Sequence, residues 1–171
     1  MVRSAPHPWH GTPVDGAPAV VVGVIPGQSP AVVRGAAALA GALGAHLVCV
    51  WADAARTLVS QGPDGTLVTT PLDPDHADHS EDEVTADAEL AAEVAANLAG
   101  VDVPWRFVYT AGEATRALAR AGRDHDACMI AVGNRRPGLG GWMNHLVGGS
   151  VAGRLSHTQP LPVTIISQES P

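Results

Sequence analysis

Short, continuous apolar runs alternate along this chain with segments of helical spacing. AVVVGVI (19–25) is apolar on both faces and rich in Val, the pattern of a buried parallel strand rather than a half-exposed one. PGQSP turns the chain, and Val32, Ala36, Leu39 and Leu43 then share one face of a helix over 30–44, with Gly44 as its stop. HLVCVWA (46–52) is a second strand and completes a βαβ unit. From residue 53 the pattern changes: TLVS and TLVTT flank QGPDG, which reads as a small hairpin on a turn. The acidic stretch LDPDHADHSEDE then leads to a capping box, Ser80 with Glu83. Val84, Ala88, Ala91, Ala95 and Leu98 keep helical spacing up to Gly100.

WRFVYT (105–110) is a third strand, and 113–122 a short helix with Ala114, Leu118 and Ala121 inward. ACMIAV (127–132) is a fourth strand, followed by a glycine-rich loop, a helix over roughly 149–157, and a last strand LPVTIIS (161–167). This alternation predicts an α/β fold: a Rossmann-like, doubly wound sandwich with a five-stranded, mostly parallel sheet, helices on both faces and a small hairpin insertion. Residues 19–167 form the expected domain, with the hairpin and acidic insertion at 53–79 and tails at 1–18 and 168–171. The first eighteen residues contain Pro6, Pro8, Pro13 and Pro18 and show no periodicity, the composition of a flexible tail. His7, Trp9 and His10 offer a metal or partner site there; a solvated tail is the reading that composition favours.

The length of 171 residues suits one domain with a single core. No apolar run reaches the roughly 18–20 residues that span a membrane, and no basic start precedes an apolar stretch, so a cytoplasmic protein without a signal peptide is expected. The net charge of -7 argues against non-specific nucleic-acid binding. All ten basic residues are Arg, which excludes a Walker A loop and lysine Schiff-base chemistry. Cys49 and Cys128 sit in separate apolar runs and read as buried free thiols of a reducing compartment.

Residues 132–155, VGNRRPGLGGWMNHLVGGSVAGRL, hold seven glycines in twenty-four positions. In open α/β sheets ligands bind beyond the carboxyl ends of the strands. Glycines there let backbone amides approach a phosphate, and a helix starting near Ser150 adds its N-terminal dipole. Arg135 and Arg136 could add charge, and a generous turn without a ligand is the plainer alternative. Trp142 and Met143 need cover, from a ligand, a partner or the same chain. Asp73, Asp75, His76, Asp78 and His79 form a cluster that tempts a metal assignment, but HxxH alone supplies only two good zinc ligands, and a solvated acidic loop accounts for it. His145 and His157 flank the loop and its helix and read as surface or helix-end residues. No nucleophile elbow, Ser/His/Asp order or paired-Cys pattern appears, so no catalytic or metal residues are assigned, leaving at most slow ATP hydrolysis.

Taken in order, VVVGV–turn–helix, DACMIAVGNRRPG…GGSVAGRL and LPVTIIS resemble the universal stress protein family across residues 19–167. The family's loop runs Gly, two residues, Gly, nine residues, Gly, then Ser or Thr. Gly133 is similar to the first glycine, Gly138 and Gly148 to the second and third, and Ser150 to the hydroxyl, with Gly149 as an extra residue. Gly112-Glu113 before the third helix and Pro160 before the last strand also fit. The resemblance implies a cytoplasmic, homodimeric stress-response module that binds adenine nucleotide, with unknown protein partners. It places adenine and ribose near Val24, Pro26, Val50 and Val132, and the triphosphate of ATP on Gly133, Gly138, Gly148, Gly149 and Ser150. Four residues separate Gly133 from Gly138, and Ile25 stands where ATP-binding members carry an aspartate. The alternative is therefore a dimeric interaction protein of the same type that has lost nucleotide. The resemblance implies dimerisation through the last strand, at Val163 and Ile165.

Overall fold

The structure is a computed structural model that describes residues 2–73, 80–134 and 150–168. Its elements are β1 (Val2–Ser4), β2 (Trp9–His10), β3 (Ala19–Gly23), α1 (Pro30–Leu43), β4 (His46–Asp53), β5 (Arg56–Gln61), β6 (Leu67–Pro71), α2 (Ser80–Asn97), β7 (Trp105–Ala111), α3 (Ala114–Asp124), β8 (Ala127–Gly133), α4 (Val151–Thr158) and β9 (Val163–Ile166). The expected five parallel strands form in the order β7-β4-β3-β8-β9, and β2 adds antiparallel to β7 as a sixth. The sheet therefore has six strands, not five.

The continuous apolar runs have a direct cause. Val20, Val22, Leu47 and Cys49 point into a core with Val32, Val33, Ala36, Ala40, Leu90 and Val94 of α1 and α2. Val21, Val48 and Val50 point the other way, to Leu118 and Ala121 of α3 and Leu155 of α4. Helices cover both faces, so successive strand residues are all apolar. On α1 the buried face differs from the expected one: Val33, Ala37 and Ala40 join Val32 and Ala36, while Leu43 is exposed at the helix end. Gly44 stops α1 in the left-handed region, at φ 60°. The capping box Ser80 and Glu83 lies outside the described side chains, although α2 does begin at Ser80.

The hairpin forms as expected from β5 and β6, closed by Gly62 N–H donating to Thr66 O at 2.8 Å. It is part of a second sheet, ordered β1-β6-β5. The flexible tail expected at 1–18 is thus corrected: residues 2–4 and 9–10 are strands in two different sheets. Contacts distant in sequence hold this segment. Ser4 Oγ donates to Asp87 Oδ2 at 2.6 Å, and His7 Nε2 lies 3.0 Å from Asp87 Oδ1. The His7 ring meets Phe107 edge-on, Trp9 meets His46, and His10 stacks flat on Trp105 at 3.9 Å. The three aromatic residues that hinted at a metal or partner site anchor the segment to its own domain.

Candidate functional site

Strands β4 and β7 extend the sheet from one side of β3, whereas β8 and β9 extend it from the other. The chain reverses direction of growth between β3 and β8, and the carboxyl ends of these two strands frame the switch-point crevice. One wall is the turn 24–29. Val24 N–H donates to Val50 O at 2.9 Å, carrying the β3 ladder one residue beyond the strand. Gly27 takes φ 71°, Gln28 N–H returns to Ile25 O at 3.2 Å, and Ser29 caps α1 by accepting from Ala31 N–H at 3.3 Å. Proline at the first helical position fits a site where no backbone donor is needed.

The opposite wall is Gly133 and Asn134 at the end of β8. Asn134 N–H donates to Ile166 O at 2.9 Å, which fixes this end against β9. A Cβ on Gly133 would stand 3.0 Å from Val32 Cγ2, 3.1 Å from Gln28 Nε2 and 3.3 Å from Gln168 Nε2. Close packing against the first turn of α1 therefore favours glycine here, independently of any phosphate. Beyond, Ser150 caps α4 by accepting from Gly153 N–H at 3.1 Å. A pocket of about 10 Å³ lies behind the first turn, lined by Val24, Ile25, Gln28, Ser29, Glu93 and Asn97 among others. That volume is at the lower limit for one water molecule. A larger groove, about 270 Å³, lies where the N-terminal segment crosses the start of β7, between His10 and Asp102.

The expected site residues divide into three groups. Val24 is buried in the α1/α2 core, whereas Val50 and Val132 are buried in the α3/α4 core, so the three share strand ends but not a surface. Pro26 and Ile25 are exposed on the turn, and Gly133 and Ser150 stand at the strand end and helix start as expected. Gly138, Gly148 and Gly149 lie outside the described residues, as do Arg135, Arg136, Trp142, Met143 and His145. Of the acidic cluster only Asp73 is described, and no group of metal-ligating residues occurs among the described residues.

Three further features stand at this end of the sheet, and of them only Glu113, as part of Gly112-Glu113, had any signal in the sequence. Glu113 caps α3, accepting from the Thr115 and Arg116 amides at 3.0 and 3.1 Å, and pairs with Arg154 of α4 at 2.6 Å. Partial burial pushes its carboxyl up, but the two amides, the Thr115 hydroxyl and the Arg154 charge together hold it below the usual range. Asp53 closes β4 by accepting from Ala55 N–H at 3.0 Å and from Tyr109 Oη at 3.4 Å. Asn134 and Gln168, two neutral amides, meet beside Gly133.

With the geometry in place, comparison with known proteins decides the relationship. The family model described as the universal stress protein family matches residues 18–167. The chain belongs to the universal stress protein family. Its fold matches a universal stress protein solved in complex with cAMP, at a TM-score of 0.58 and 20% identity over 90% of this chain and 98% of that one. A universal stress protein of Archaeoglobus fulgidus in complex with dAMP matches at TM-score 0.56 and 17% identity, over 88% and 97% of the two chains. An Arabidopsis thaliana family protein with AMP bound matches at TM-score 0.54 and 11% identity, over 90% and 93%. Among the curated proteins, none matches this sequence. No helix among the described residues of this universal stress protein is long and apolar enough to cross a membrane.

Proposed function

We propose that this universal stress protein is a regulatory module that binds an adenine nucleotide, ATP, at the carboxyl ends of β3 and β8. The observation that carries the reading is the switch-point crevice, with Gly133 at the end of β8 and α4 opening at Ser150. The cAMP, dAMP and AMP complexes of its structural neighbours support the ligand class. The base side would be backbone at Val24, Pro26, Val50 and Val132, since the three valine side chains are buried on opposite faces of the sheet, and Gly133, Gly138, Gly148, Gly149 and Ser150 would form the phosphate side. Two free thiols suit a reducing compartment, the cytoplasm.

The test is nucleotide analysis of freshly purified protein, followed by melting with added ATP. Ligand at about one hundred times its Kd stabilises a folded chain by about 2.7 kcal/mol, which is readily seen as a raised Tm. Gly148→Val should abolish the rise; no rise for the unaltered chain at millimolar ATP would end the proposal.

A second reading has its own support. Ile25 is 43% exposed and its side chain offers no acceptor. This favours a dimeric interaction protein without nucleotide. Strand β9 ends the sheet, and Ile165 is 59% exposed upon it, so an edge-to-edge homodimer through Val163 and Ile165 fits either reading. Ile165→Arg should convert such a dimer to monomer in sedimentation equilibrium; an unchanged mass would place the dimer elsewhere.

A further inference from the structure

Gln168 lies one residue beyond the stretch that matches the family model, yet it makes the densest polar contacts of the crevice. Its backbone N–H donates to Asn134 Oδ1 at 2.9 Å. Its side-chain Nε2 donates to the Asn134 backbone carbonyl, and its Oε1 accepts from Ser29 N–H at 3.4 Å. One side chain thus bridges both walls: the N-cap of α1 on one side and the residue after Gly133 on the other. Gln28 completes the arrangement from the turn, donating from Nε2 to Gly23 O at 3.4 Å. The two amide nitrogens, from Gln28 and Gln168, stand with Val32 Cγ2 around Gly133 at the distances given above.

Resting on the nucleotide reading, we propose that Gln168 is a C-terminal clasp that closes the crevice over Gly133 and must be released before nucleotide reaches that glycine. The physical basis is competition for the same donors and the same space. Ser29 N–H is what a polar ligand at this switch point would meet, and Gln168 Oε1 takes it, while Gln168 Nε2 occupies the space beside Gly133, 3.3 Å from where a Cβ would stand. A clasp held by a few neutral hydrogen bonds, each of modest net strength, is releasable. It reduces apparent affinity by the fraction of molecules in the open state. A protein partner or a modification that draws Gln168 away would then raise nucleotide affinity without touching the site.

The test compares the full chain with Gln168→Ala and with a chain ending at Ser167. Two readouts are taken: amide hydrogen exchange at Ser29 without ligand, and the Kd for ATP by titration calorimetry. Faster exchange at Ser29 together with about three- to tenfold tighter ATP binding is the expected result. Unchanged exchange in both variants, or faster exchange with measurable but unchanged or weaker ATP binding, would overturn the clasp while leaving the nucleotide reading intact. Faster exchange with no ATP binding by any of the three chains would overturn the nucleotide reading, and the clasp as a gate with it.

Discussion

Removing the carboxylate of Asp87 should undock the N-terminal segment. Asp87 is 7% exposed on α2 and bridges two side chains from a part of the sequence eighty residues away. Asp87→Ala deletes the 2.6 Å bond from Ser4 and the 3.0 Å contact with His7, and leaves both partners facing a small apolar void. Hydrogen bonds to a charged group contribute about 1.5–3 kcal/mol each, and the strand that loses them regains conformational freedom. A net cost of about 2–4 kcal/mol follows, which for a chain of this size lowers Tm by roughly 5–15 °C. The cost cannot exceed the free energy that docks residues 2–10, because beyond that point the segment detaches and the parallel core stays folded. The assay is urea unfolding followed by tryptophan fluorescence, repeated with Ser4→Ala/His7→Ala and with all three substitutions together. Coupling of about 1.5–3 kcal/mol between the two sets is expected, since they remove the same contacts. A change within about 0.5 kcal/mol for Asp87→Ala, or purely additive costs, would refute the reasoning and return residues 1–18 to the status of a tail.

Four further outcomes follow from three named groups. His125 ends α3; burial, with the Arg106 charge second, pushes its imidazole below 6.5 despite Asp124 and Asp126. The unfolded chain therefore takes up the proton first as pH falls, so stability should decline from pH 7 towards 5, and His125→Gln should flatten that slope in denaturant titrations. Glu113 is held below 4.5, so its contribution is present above that value and lost as pH falls through the lower folded one; Glu113→Gln should reduce the acid sensitivity measured below pH about 4.5. Glu113→Ala, which also removes the α3 cap, should cost about 1–2 kcal/mol at pH 7 by chemical unfolding. Cys49 is fully buried, and burial pushes its thiol far above the ordinary range, so a thiol reagent at pH 7.5 should label native protein at Cys128 alone and reach Cys49 only at the rate of unfolding.

The parallel core was legible because its signal is local. A strand covered by helices on both faces needs no alternation, and VVV and HLVCV say so within five residues. The helix face of α1 was less legible, since a run of alanines offers no contrast, and Leu43, apolar as it is, stands exposed at the last position of the helix. The N-terminal segment was not legible at all. What orders it is a set of pairs such as His7 with Phe107 and His10 with Trp105, whose partners are about a hundred residues apart and carry no periodicity. At the crevice, Gly133 and Ser150 were picked out by the resemblance to the family's loop, whereas Asn134 and Gln168 were not, because neutral amides mark no pattern until the fold brings them together.

That difference decides which substitutions can inform on ligand binding. Gly133 is a natural target, but any side chain there meets Val32 Cγ2 at 3.0 Å, so Gly133→Ala should loosen the first turn of α1 whether or not phosphate binds. Ser150→Ala is confounded in the same way, since it removes the cap of α4 and about 1 kcal/mol with it. A loss of binding in either variant would not separate lost ligand contacts from lost packing. Gln168 is free of this ambiguity. Its release removes contacts that lie across the crevice rather than beneath it, and the predicted change is a gain of affinity, which a damaged fold does not produce.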